Sequence, residues 1–210
     1  MSRYRRAHIP GGTFFFTVTL ADRSNDTLIR NIGRLRRIYK TVQRGRPFET
    51  IAVCILPDHL HAIWSLPEHD TDFAMRWNLI KSGFSRGLPA ATSRSASKLN
   101  RREKGIWQRR YWEHVIRDDA DLARHIDYVH FNPVKHGLVT RVCDWPHSSF
   151  HRYVAEGTLP EDRAATSARL PEHSVSSRVG TARSAPLPTL RHYDCCSILR
   201  MTASSCSKVL

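Results

Sequence analysis

A chain of 210 residues is long enough for one well-cored domain with an appendage. Lys and Arg number 33 against 19 Asp and Glu, and a net charge of +14 with a pI near 10.3 points to polyanionic partners, above all nucleic acid. No long apolar stretch follows Met1–Arg6, and no apolar run approaches the length of a membrane span. The expected protein is therefore cytoplasmic, without membrane contact, with Cys54, Cys143, Cys195, Cys196 and Cys206 as free thiols.

Basicity is uneven. Residues 1–154 hold 26 basic and 14 acidic side chains, a net of +12, whereas residues 155–210 hold 7 and 5, a net of +2. Thr13–Leu20, behind Gly11 and Gly12, is β-branched and aromatic and predicts the first strand; Phe14, Phe15 and Phe16 read as core. Asp26 opens a helix to about Arg44, with Leu28, Ile32, Leu35, Ile38 and Val42 at helical spacing. Gly45 and Pro47 end it. Strands follow at about 49–56 and 59–66, joined by a turn at Pro57–Asp58. Asp70 or Thr71 opens a second helix, with Phe73, Trp77, Ile80 and Phe84 as its buried stripe.

Residues 89–104 are rich in Ser, Ala, Arg and Lys without periodicity, and a mobile basic loop is expected there. Ile106–Trp107 and His114–Ile116 contribute short strands. Asp118 caps a third helix that runs to Phe131, where Asn132–Pro133 ends or kinks it. Val134–Gly137 adds a turn, and Asp144–Phe150 forms a C-terminal extension. Residues 155–210 are expected to be a disordered Ser/Arg/Pro-rich tail, with the sharpest change of composition after about Ala164. The succession strand, helix, strand, strand, helix, strand, helix predicts an α+β fold. It is the ferredoxin-like split βαβ pattern, with a central antiparallel sheet and an extra C-terminal helix. Strands one and three would lie in the middle of that sheet.

His59-Leu60-His61 is the most informative short motif. Side chains alternate along a strand, so the two imidazoles share one face. Two imidazoles at that spacing can bind one divalent metal, and equally can be ordinary residues of a half-exposed strand. On the third helix, Leu122, Ile126 and Val129 form the apolar stripe, while Asp121, His125, Tyr128 and Asn132 form a neighbouring one. Tyr128 there reads either as an amphipathic side chain at the core margin or as a functional group. Asn132 reads either as a helix C-terminal residue or as a hard oxygen ligand beside the imidazoles. His125 is expected to face solvent or DNA. Trp107, Tyr111 and Trp112 read as packing around the fourth strand, with base stacking as the alternative.

Seven segments carry a resemblance. They are Tyr4–Arg6, Gly11–Thr17, Arg46–Phe48, Leu56–Trp64, Trp107–Glu113, Asp127–Gly137 and Asp144–Phe150. His59-Leu60-His61 looks like the His-hydrophobe-His motif of the single-tyrosine HUH transposases. About residues 3–154 as a whole resemble the REP-associated tyrosine transposases, and 1–154 is expected to be the HUH-type domain. The resemblance implies a metal-dependent single-strand DNA endonuclease and strand transferase, acting on hairpin-forming REP sequences with a short flanking tetranucleotide. By position, Tyr128 would be the nucleophile, forming a covalent 5′-phosphotyrosine. His59, His61 and Asn132 would hold magnesium or manganese (Mg2+ or Mn2+). Arg3, Tyr4, Arg5, Arg6, Lys81, Arg109, Arg110 and Lys135 are candidate DNA contacts. The expected protein is a monomer at the nucleoid, working on single-stranded and hairpin DNA. Two other readings are a silent REP-hairpin binder, which the intact Tyr128 and metal set disfavour, and an RNA-binding ferredoxin-like domain, whose alternating aromatic and glycine run is absent.

Overall fold

The computed structural model describes residues 7–161. Residue contacts divide the chain into two compact units. Among the described residues, the first runs through Ile51 and over Ile55–Val115; the second consists of Ala52–Cys54 and Ile116–Glu161.

A four-stranded sheet has the order β2-β3-β1-β4. Its strands are β1 (Thr13–Thr19), β2 (Glu49–Ile55), β3 (His59–Ser65) and β4 (Trp112–Val115). Strands one and three are central, as the split βαβ pattern requires, and β1 runs antiparallel to both β3 and β4. The register pairs Thr19 with His59, Thr17 with His61 and Phe15 with Ile63, so those side chains share one face. Phe14, Phe16, Leu60, Ala62 and Trp64 point to the other.

On that other face lie α2 (Ile32–Gly45) and α3 (Phe73–Arg86). Trp64 stacks on Trp77 with centroids 4.1 Å apart, and Phe16 meets Phe73 and Trp77. The Trp64 indole N–H donates to Tyr39 Oη at 2.6 Å, and Tyr39 Oη in turn meets Thr50 Oγ1 at 2.7 Å. A buried indole needs such an acceptor. Arg76, buried on α3, is held by the Asp70 carboxylate at 2.6 Å and by the carbonyls of Arg46, Pro47 and Asp72. A buried guanidinium is tolerable only with its donors engaged in this way.

The first helix differs from the expected single segment. It is α1 (Thr27–Arg30), then a break at Asn31, then α2. Asn31 takes φ −114° and ψ 26°, and its side-chain amide donates to Thr27 O at 2.9 Å. Asn competes with the helical backbone in this manner. The cap of α3 is Asp72, which accepts from the Met75 N–H; Asp70 is committed to Arg76 instead. Within 89–104 the structure has a helix, α4 (Ala96–Asn100), capped by Ser95. The aperiodic composition hid a four-residue capping signal, Ser95 to Lys98.

In the second unit, α5 (Asp119–Lys135) starts from Asp118, whose carboxylate accepts from the Asp121 N–H. It does not stop at Phe131. Pro133 removes one N–H donor near the end of the helix, where little remains to be lost. Gly137, at φ +66°, then closes it: its N–H donates to Val134 O and that of Leu138 to Pro133 O. This is a Schellman closure, so Val134–Gly137 is a last turn and cap, not a separate turn. A 3-10 turn (Val142–Asp144) and α6 (Phe150–Ala155) follow. Buried Ser149 exchanges bonds with Val53: its N–H donates to Val53 O, and its Oγ accepts from Val53 N–H and meets His130 Nε2 at 2.9 Å. Among the described residues, no helix is long and apolar enough to cross a membrane.

Candidate functional site

The first unit carries the histidine pair on a central strand. The two rings lie 4.9 Å apart at 85°, both buried. Strand alternation aims them alike, and hydrogen bonds at one nitrogen of each ring orient them. His59 Nδ1 meets Asp58 Oδ1 at 2.7 Å; His61 Nδ1 meets Thr17 Oγ1 at 2.9 Å. With Nδ1 engaged in both rings, the ligating nitrogen of each would be Nε2. Asp58 is itself held. Arg23 Nε donates to its other carboxylate oxygen at 2.7 Å, and the Leu20 N–H donates to its carbonyl at 2.8 Å. Burial alone would raise the Asp58 carboxyl most, but hydrogen bonds and charge from Arg23 and His59 together outweigh it and hold the group below the ordinary carboxylate value. Phe15 stacks on His61, with centroids 5.5 Å apart and 19° between planes.

The second unit carries Tyr128 and Asn132 one turn apart on α5. Tyr128 is half-buried, and Lys135 Nζ lies 5.0 Å from the centroid of its ring. Asn132 is fully buried; its amide Nδ2 donates to Tyr128 O at 3.1 Å, while its Oδ1 has no hydrogen-bond partner among the described residues. A fully buried acceptor left in that state is uncommon and marks a position where a ligand atom would be welcome. His125 is buried, not solvent-facing: its Nδ1 meets Asp121 O at 2.8 Å, a bond made within the first turns of the helix.

Lys81 Nζ is engaged by Gln108 O at 2.6 Å and Arg109 O at 3.2 Å. Arg109 pairs with Glu103 at 3.0 Å and donates to Ser97 Oγ. Arg110 and Lys135 are exposed. Arg3, Tyr4, Arg5 and Arg6, and the tail after residue 161, lie outside the described residues. Trp107 is packed at 7% exposure, whereas Trp112 stands out at 39%, on the same sheet face as His61 and parallel to the His114 ring. Sequence reading alone missed Thr17 and Asp58. Asp58 adjoins the motif and offered a signal; Thr17 is 44 residues away and is found only through the β1–β3 register.

No protein-family model matches the chain. A REP-associated tyrosine transposase of Escherichia coli K12 is 47% identical over 164 residues, covering 78% of this chain and 92% of its own length. A Haemophilus influenzae protein described under the same family is 50% identical over 163 residues, covering 77% of this chain and 93% of its own. A solved REP-associated tyrosine transposase, bound to a REP hairpin, superposes with a TM-score of 0.71 at 44% identity. That match takes in 86% of this chain and all of the other.

Proposed function

The chain belongs to the REP-associated tyrosine transposases, and we propose that it is a metal-dependent single-strand DNA endonuclease and strand transferase acting beside REP hairpins. The observation that carries this reading is the pair of buried, same-face imidazoles, each engaged at Nδ1. Residues 1–154 form the catalytic domain in this proposal. His59 and His61 would hold Mg2+ or Mn2+ through Nε2, with the partnerless Asn132 Oδ1 as third ligand. Nitrogen with hard amide oxygen suits those ions, so the residues fit the group. The bound ion would act as a Lewis acid on the scissile phosphate and neutralise developing charge.

Tyr128 is the nucleophile. Its Oη attacks phosphorus, forming a 5′-phosphotyrosine as the bond from phosphorus to the 3′-oxygen breaks. The phenol proton is released and the departing 3′-oxygen takes one up, leaving a 3′-OH. A 3′-OH of another strand reverses the step: it attacks the phosphotyrosine and Tyr128 leaves. The intermediate conserves the bond, so strand transfer requires no nucleotide cofactor. Lys135, beside the Tyr128 ring, supplies positive charge next to the nucleophile. Arg110 and Lys135, with the Arg3–Arg6 segment, contact phosphates and position the strand more than they read it. The protein works as a monomer in the cytoplasm, at the nucleoid.

The test is cleavage of three labelled oligonucleotides: a REP hairpin with a single-stranded flank, its full duplex, and an unstructured strand. The hairpin should be cut with Mg2+ or Mn2+ and spared in EDTA. Binding should weaken steeply with salt, by counterion release. Equal cutting of duplex, or cutting in EDTA, overturns the proposal. Hairpin binding without cleavage under any divalent metal would make the protein a silent REP-hairpin binder.

A further inference from the structure

We infer that Asp58 and Thr17 are positioning residues of the histidine pair, fixing which nitrogen each imidazole presents; the inference rests on the metal reading proposed above. A strand sets where a Cβ points, not how a ring turns about its last torsion, which is broad. A half-turn of the ring exchanges Nδ1 for Nε2, and a change of tautomer replaces a lone pair with a proton. Each of these would remove a ligand. A bond at Nδ1 blocks both.

The two histidines obtain that bond from different sources. For His59 it is the neighbouring carboxylate, Asp58 Oδ1 at 2.7 Å, which as an ionised acceptor demands the proton on Nδ1. Asp58 cannot swing away, because Arg23 Nε holds its second oxygen at 2.7 Å and the Leu20 N–H holds its carbonyl at 2.8 Å. For His61 it is Thr17 Oγ1 at 2.9 Å, directly opposite in the β1–β3 register. Ligation through Nε2 makes Thr17 Oγ1 the acceptor. A β-branched side chain on a strand is stiff at χ1, so the hydroxyl stays where the register puts it. The Phe15 ring, stacked on His61, restrains the imidazole plane. Thr17 would pass for a strand-forming residue by composition, and in that role valine would serve as well. The prediction for Thr17→Val therefore separates the two roles.

The experiment titrates the full-length protein with Mn2+ alone, following the electron paramagnetic resonance signal of the free ion, without DNA. Near-ultraviolet circular dichroism accompanies each variant. Thr17→Val and Asp58→Ala should each weaken Mn2+ binding by roughly 10–100-fold, the usual effect of losing an outer-shell partner. Thr17→Ser, which restores the hydroxyl, should bind close to wild type. The near-isosteric Thr17→Val decides the matter if Asp58→Ala fails to fold. Wild-type Mn2+ affinity in Thr17→Val, with loss in His61→Ala, overturns the positioning role and leaves the metal reading standing. Wild-type affinity in His59→Ala and His61→Ala overturns the metal reading itself, and the positioning role with it.

Discussion

The strand that carries His59 and His61 and the helix that carries Tyr128 and Asn132 hold their side chains by different means. On β3, position comes from pairing with β1 and from hydrogen bonds at Nδ1, to the adjacent Asp58 for His59 and to Thr17 on β1 for His61. On α5, position comes from the helix itself: Asn132 bonds back to Tyr128 O one turn earlier, and Lys135 lies over the Tyr128 ring two turns on. His61 thus draws on a partner from another strand, whereas the contacts named for Tyr128 and Asn132 lie within one helix. The first kind of fixation resists distortion but fails when a distant partner changes. The second survives distant changes and depends on the integrity of one helix end.

The largest expected effect falls on the strand. His59→Ala or His61→Ala should lower cleavage by on the order of 10³-fold, the scale of several kcal/mol of lost transition-state stabilisation. Hairpin binding in gel shifts should persist, since the phosphate contacts proposed above involve other residues. Normal cleavage in either variant would place the metal role on other residues. Asn132→Ala should cost less, about tenfold, because water can refill one neutral ligand position. A loss as large as that of the histidines would mean that Asn132 matters through the shape of α5, and a thermal melt would then show a lowered midpoint.

A structural change at the helix end should be smaller again. Gly137→Ala meets no atom but forces φ +66° on a residue with a Cβ, costing about 1 kcal/mol. The measurable shift is roughly 2–4 °C in Tm for a domain of this size. Unchanged stability would mean that the Schellman closure contributes little to α5. The smallest effect concerns Asp58. Its carboxyl is held below its ordinary 3.8, so its contribution to stability is fully present above that pH and is lost as pH falls through the lowered value. The stability difference between wild type and Asp58→Asn in urea should therefore be constant at neutral pH and shrink in acid. A difference that grew in acid would contradict the bonding described for Asp58.

What could be read from sequence follows the same division. The boundaries of the first three strands fell within one residue of the structure because alternation and the Pro57–Asp58 turn are local signals. The fourth, by contrast, begins at Trp112 and not His114, and at Ile106–Trp107 there is only an isolated bridge from Trp107 to Leu20. The central place of strands one and three followed from the order of elements. Asn31 broke a helix that periodicity ran together, because Leu28 and Leu35 keep their spacing across a single non-helical residue. Pro133 suggested an early end to α5, whereas Gly137, four residues on, sets it. The histidine pair was visible as a motif, but Thr17 was not, since nothing in a run of Thr and Phe says which hydroxyl faces an imidazole. One signal for α5 pointed correctly: the Asp118 cap.

The proposed mechanism turns on Tyr128, whose hydroxyl would make the covalent bond to DNA. The direct measurement is a denaturing gel of protein incubated with Mg2+ and a REP hairpin strand carrying its flank, labelled on the 3′ side of the cleavage site, because a 5′-phosphotyrosine retains the 3′ fragment. Wild type should give a protein–DNA adduct resistant to denaturant and removed by protease. Tyr128→Phe, lacking only the hydroxyl, should bind the hairpin as wild type does and give no adduct. An adduct formed by Tyr128→Phe would contradict the account and move the nucleophile to another residue.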